Sequence, residues 1–235
     1  MKDKEASEKI NLVFKNIFDK SCPFTIDEIL SNFAFDIKLP QKVYDSLTSK
    51  ETWAESINPT KFITQKNMEL YEKQHGRILK KREVNSLEDI LKIWKKINFT
   101  TTERVYDSEN VSKSDTIYRS ENVYRSLDCR DCKNIIFSDG CANSEYLIAC
   151  QRTGGSNFCI RVDDSGECLN SYNVICSSQI SNSFFIQDCK NLDECMFCSH
   201  ISDKKFYIAN MPFEKDEYYN IKKEIVNWIL SKNFN

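Results

Sequence analysis

Residues 120–131 read SENVYRSLDCRD, residues 132–143 read CKNIIFSDGCAN and residues 144–155 read SEYLIACQRTGG. Aligned on their first residue, these three segments place Ser or Cys first, Val, Ile or Leu three residues later, and Ser or Cys three residues after that. Working outward, unit starts fall at Ser108, Ser120, Cys132, Ser144, Ser156, Ser171, Ser183 and Cys195, spaced by 12 residues except for one unit of 15. The second column holds Val111, Val123, Ile135, Leu147, Cys159, Val174, Ile186 and Cys198, and the third Ser114, Ser126, Ser138, Cys150, Val162, Ser177, Cys189 and Ile201. The longer unit, 156–170, keeps the three-residue sub-period and is read as an added outward loop at Asp163-Asp164-Ser165-Gly166.

A period this short cannot hold a helical hairpin, which needs 30 or more residues, but it fits one tight coil of a parallel β-solenoid. Coils stack about 4.8 Å apart, so equivalent residues form ladders. Ser and Cys suit a coil with little interior volume, and their polar atoms can bond neighbouring backbone groups. The Ser, Asn and β-branched residues of the units are poor helix formers. About eight coils are expected over residues 108–201.

The flanks read differently. Ile10, Val13, Phe14, Ile17 and Phe18 recur at helical spacing, and Thr25-Ile26-Asp27-Glu28 has capping-box form ahead of Leu30 and Phe33. Residues 35–64, with Leu39-Pro40 and Asn58-Pro59, suggest extended chain and turns; helices are expected near 67–82 and 87–97, the second opening at Ser86 with Asp89 three residues on. Beyond the repeat, residues 206–212 suggest a last strand and turn, and residues 214–232 a helix with Tyr218, Ile221, Ile225, Trp228 and Ile229 on one face. Because a solenoid end exposes unpaired backbone, this helix is expected to cap it. The fold class is therefore α+β: a mainly helical segment 1–103, a β-solenoid 104–211, and a C-terminal capping helix in 212–235.

The run Cys189-Lys190-Asn191-Leu192-Asp193-Glu194-Cys195-Met196-Phe197-Cys198, with residues 205–210 and 214–218, resembles the end of uncharacterised cysteine-rich repeat proteins of small-genome bacteria. That resemblance spans about 40 residues and implies no activity. The coil form is also similar to the solenoid of beetle antifreeze proteins, but their Thr-x-Thr face and paired cysteines are absent, so ice binding does not carry over.

Composition narrows the function classes. Thirty-three basic against 35 acidic residues give no global pull toward nucleic acid or an anionic membrane. No stretch approaches about 18 uninterrupted apolar residues and the first segment is charged throughout, so neither a membrane partner nor export is expected; the expected location is the cytoplasm, or a virion if the source is viral. The 11 cysteines are an odd number without an export signal, which favours reduced thiols. The pairs Cys129/Cys132 and Cys195/Cys198 follow from sites that favour Ser or Cys every three residues. A local zinc site from Cys189, Cys195, Cys198 and His200 is the alternative. Cys129 and Cys141, one period apart, are expected as ladder neighbours.

No catalytic motif emerges, and no cofactor is expected. Asp163, Asp164 and Glu167 are read as an acidic turn, and Lys73, Arg77, Lys80, Lys81 and Arg82 as a solvated basic face. Residues 104–205 carry 15 acids and 11 bases, too mixed for a solenoid that mimics nucleic acid. The surface signal is an apolar ladder, Tyr124, Ile136, Ile148, Ile160 and Ile175, flanked by Tyr146, Phe158, Phe185 and Phe197. Such a stripe must be covered, by the N-terminal helices or by another chain. The functional expectation is a non-enzymatic structural or interaction protein that binds a protein partner or itself, in the setting of a virion or other large assembly.

Overall fold

The computed structural model describes residues 1–58 and 60–231. Pro59 of the expected Asn58-Pro59 turn and Lys232, the last residue expected in the C-terminal helix, lie outside them. The chain opens with α1 (Asp3–Phe18) and α2 (Ile26–Phe33), then an antiparallel pair, β1 (Gln41–Tyr44) and β2 (Glu51–Ala54). Next come β3 (Lys61–Thr64), α3 (Gln65–His75), α4 (Leu87–Ile97) and β4 (Phe99–Thr102), which pairs in parallel with β3. A parallel solenoid of about nine turns fills residues 105–208, and α5 (Lys215–Ile229) ends the described chain.

The register is 12 residues throughout. Val111 pairs with Val123, then Ile135, Leu147, Cys159 and Ser171; Tyr172 pairs with Phe184, then Met196 and Ile208. This corrects the 15-residue unit expected at 156–170: Asn157 pairs with Leu169 and Cys159 with Ser171, so no loop is inserted; the solenoid also extends beyond 108–201 at both ends, which brings it to about nine turns. The mistake has a physical origin. Every third residue points into the coil, so four interior columns run through the stack, and all four accept Ser, Cys or an aliphatic residue. A slip of one column looks the same in sequence.

The three-residue step is set by the backbone. Every third residue from Asp107 to Ala209 has positive φ, with Gly140 and Gly155 at two of these corners. Four left-handed corners fold twelve residues into a four-sided coil. Asn, Asp and Gly tolerate that conformation best. The residue after each corner faces inward, and Val123, Ser126, Cys129, Cys132, Ile135, Ser138 and Cys141 are all buried. Serine earns its place in these columns through hydrogen bonding. Each Oγ accepts from the amide one coil later and donates to the carbonyl two residues before it, as in Ser138 N to Ser126 Oγ at 3.1 Å and Ser126 Oγ to Tyr124 O at 3.0 Å. The amides that follow the corners thereby gain partners that a buried backbone group needs.

The N-terminal end is closed by β1–β4. Asp115, buried at the first full coil, accepts from Glu55 N at 3.0 Å and from Arg104 N and Nε, both at 2.9 Å, while Arg104 Nη2 also reaches Glu55. Within this closure Asp45 accepts from Leu47 N, Thr48 N, Thr64 N and Asn67 Nδ2 at 2.8–2.9 Å. Burial opposes its ionisation, but these bonds outweigh it and hold the carboxyl at about 2.

Residues 1–103 form the expected helical region, which also carries four strands, and α1 and α2 pack along the side of the solenoid. Two expectations are revised here. The helix expected over 67–82 stops at His75, because Gly76 takes φ 70° and its N–H bonds to Glu72 O at 2.8 Å. The C-terminal helix does not close the end of the stack: α5 lies on its side, with Tyr218 buried against Phe206 and Lys222 Nζ bonding Glu194 at 3.0 Å and Asn182 O at 3.2 Å. At the end itself, residues 202–205 are exposed, and the short return strand pairs only with Tyr207 and Ile208. The last place in the interior column that runs Ser156, Cys168, Ile180, Leu192 is taken by Lys204, its charge 5.8 Å from the Tyr207 ring centre. A lysine there and Lys205 beside it guard an open strand edge against pairing.

Candidate interaction surfaces

The expected apolar ladder exists, and the chain covers it. Tyr124, Ile136, Ile148 and Ile160 are buried in one cluster with Ile10, Val13, Phe14, Ile17 and Phe18 of α1. The helix runs along the stack: Asp3, at its start, accepts from the Tyr124 hydroxyl at 2.9 Å, and Phe18, at its end, meets Tyr172 and Phe184 with ring centres 5.6 Å away in each case. Helix α2 is pinned beside it by Arg161, which donates to Phe33 O at the helix end and bonds Asp36 just beyond it through two 2.9 Å contacts. These ladder residues are thus an internal seam, and the expectation that they present an interaction face is corrected.

Ile175 does not belong to the ladder. The shifted register puts Tyr172 in that place, and Ile175 falls on the next side of the coil, half-exposed. Tyr146 and Phe158 do flank the ladder, as stacked corner residues with ring centres 4.4 Å apart, half-buried at the edge of the same cluster. Phe185 and Phe197 stack in the same way at 4.5 Å, but at the corner on the ladder's other side.

Nine of the eleven cysteines face inward. Cys189, Cys195 and Cys198 occupy interior columns, whereas His200 projects outward, 74% exposed, near Asp188 at 3.6 Å. The four do not converge, and among the described residues no group of three or more His, Cys, Asp or Glu side chains is placed to hold a metal. Burial pushes the thiols of Cys132 and Cys150 up to about 12, whereas the hydrogen bond between Cys195 and Cys198 pushes the Cys195 thiol up and draws the Cys198 thiol down. Cys129 and Cys141 stand one coil apart, both as free thiols. Asp163, Asp164 and Glu167 lie along the outer surface rather than on a loop, and Asp163 pairs with Arg152 at 2.5 Å.

The surface that sequence reasoning missed is α4. Its cap forms as expected, with Asp89 N donating to Ser86 Oγ at 3.1 Å. The apolar residues Leu87, Ile90, Leu91, Trp94 and Ile97, however, face solvent, with Leu87 70% and Trp94 51% exposed, while Asp89 and Ile93 are the half-buried positions. Nearby, Ile78 in the connection between α3 and α4 is 91% exposed. The i, i+3, i+4, i+7 spacing that marks this stripe was visible in the sequence. Which way it would face was not, because the pattern alone does not say what the helix packs against.

Comparison with protein-family models, with curated proteins and with solved structures gives no match. Among the described residues no helix is long and apolar enough to cross a membrane. Function therefore has to be argued from the geometry.

Proposed function

We propose that this chain is a non-enzymatic interaction protein: a rigid solenoid, strapped by its own helices, that displays α4 as the binding element within a larger assembly. The observation that carries this reading is the outward apolar face of Leu87, Ile90, Leu91, Trp94 and Ile97. An amphipathic helix that turns its apolar stripe away from its own protein costs hydrophobic free energy, roughly 1.5–3 kcal/mol for each large side chain left unburied, which a partner can recover. Other large apolar side chains, such as Phe35, Ile57 and Met211, are exposed elsewhere on the surface, but they do not line one helix face. The coil interior and the outer ladder form two packed clusters, and the inward thiols and outward His200 leave the zinc alternative without a ligand set. Mixed charge on the solenoid gives no support to nucleic-acid mimicry.

The test is site-specific photocrosslinking in the expressing cell, with the photoreactive residue at position 94, 148 or 179. Position 94 should join the chain to another polypeptide, position 148 should link only within the chain, and exposed position 179 should give background. Intermolecular crosslinking at 94 no greater than at 179 would defeat the proposal.

A further inference from the structure

We infer that the occupant of this face is a second copy of the same chain, docked so that the two α4 helices cross antiparallel about a twofold axis near Leu91 and Trp94. The inference rests on the reading of α4 as the binding element and names its partner. Its support is the arrangement of charge around the apolar stripe. Glu88 and Lys95 stand seven residues apart, on the same flank of the helix and at opposite ends of the stripe. In an antiparallel twofold pair, equal flanks meet end to end. Glu88 of each copy then faces Lys95 of the other, forming two equivalent ion pairs around the apolar centre.

The apolar residues have matching symmetry. Leu87 and Ile97 mark the two ends of the stripe, so antiparallel packing sets one end against the other, with Leu91 and Trp94 near the middle. The helix dipoles also oppose one another in this arrangement. A parallel pair would bring the acidic first turns together and the basic last turns together. A bilayer with anionic headgroups fits less well, because Glu88 flanks the apolar stripe in the first turn, while Asp89 lies on the half-buried side. Asp89 is engaged by its own Ser86 at 2.8 Å, so it is not the cross-pair. Glu88 meets Lys92 of its own helix at 3.0 Å, but both are largely exposed, and such a pair is weak enough to be shared with a partner lysine.

A contact centred on one short helix is at the small end of protein interfaces, so association should appear in the micromolar to sub-millimolar range. Sedimentation equilibrium of the full chain tests it directly. The wild type should rise with concentration from the 27.5 kDa chain mass toward twice that value. Leu91→Asp with Trp94→Asp should remain monomeric at every concentration while keeping its circular dichroism and melting temperature, since both side chains are exposed. Glu88→Lys should weaken association about tenfold, as should Lys95→Glu, and the E88K/K95E double variant should recover most of it. A monomeric wild type, association that survives the double aspartate substitution, or failure of the charge swap to rescue would each overturn the inference. So would binding to vesicles of phosphatidylserine and phosphatidylcholine by a chain that stays monomeric. If the wild type is monomeric but position 94 still crosslinks to a different polypeptide, the second-copy inference fails and the proposed function stands; if position 94 gives only background, both fail.

Discussion

Replacing Ile148 by alanine probes how the solenoid and its strap are joined. Ile148 is fully buried, on the outer side of its coil and within the cluster that includes α1. The substitution leaves the backbone ladder untouched, because Ile148 pairs with Ile136 and Ile160 through main-chain groups. What is lost is packing under the helix. Ile-to-Ala changes in cores cost about 2–5 kcal/mol, and a value near 3 kcal/mol is expected where a helix can settle partway into the gap. If α1 opens separately from the coils, that loss should speed hydrogen exchange of the α1 amides by on the order of a hundredfold. The amides of Val123 and Ile135, which belong to the coil, should keep their protection. Exchange followed by NMR or mass spectrometry resolves the two sets. Unchanged exchange in α1 would show that the ladder is not what holds it, and equal acceleration in helix and coils would show that they open as one unit.

Two further outcomes follow from the same packing. Of the 11 cysteines, Cys176 is exposed and Cys22 half-buried, while the other nine are buried, so iodoacetamide on the native protein should label Cys176 readily and the nine only after unfolding; mass spectrometry of the labelled peptides reads this, and fast labelling of Cys150 would contradict it. Asp45→Asn should destabilise the N-terminal closure by about 2.5 kcal/mol at pH 7, from a carboxyl held near 2 against an unfolded value of about 3.9. Because the folded value is depressed, the contribution is full above pH 4 and fades as pH falls toward 2, so urea melts of wild type and variant should converge in acid.

The period, the stacking and the small interior residues could be read from Ser120, Cys132 and Ser144 and their successors. The phase could not be held across residues 156–170, because Ser156, Cys159, Val162 and Ser165 all satisfy the same inward requirement although they sit in four different columns. The error carried Ile175 into a ladder that belongs to Tyr172. The left-handed corners had a signal in Asn110, Asn122, Asn134, Asn143, Asn170 and Asn182, but Arg125, Phe137, Tyr146 and Arg161 hold equivalent corners and blur it. The helical stripe of α1 was legible and its place on the ladder was one of two stated options; only the packing chose between them. For α5 the general need to protect a solenoid end suggested a cap, whereas the chain met that need with Lys204 and used the helix elsewhere.

The strap also sets a length. Helix α1 has 16 residues, about 24 Å at 1.5 Å per residue. It reaches from the coil of Tyr124 to that of Phe184, a span of five steps of about 4.8 Å, again about 24 Å. Coils are interchangeable as units of stacking, so duplication or loss of one twelve-residue unit would keep the ladder in register. It would not keep the helix in register, because a sixth step would leave one end of α1 short of its aromatic contact, and a missing one would push Phe18 past it. Copy number in the middle of this protein is therefore tied to the length of a helix encoded about a hundred residues earlier, and gain or loss of a coil should be tolerated only together with a matching change of about three residues in α1.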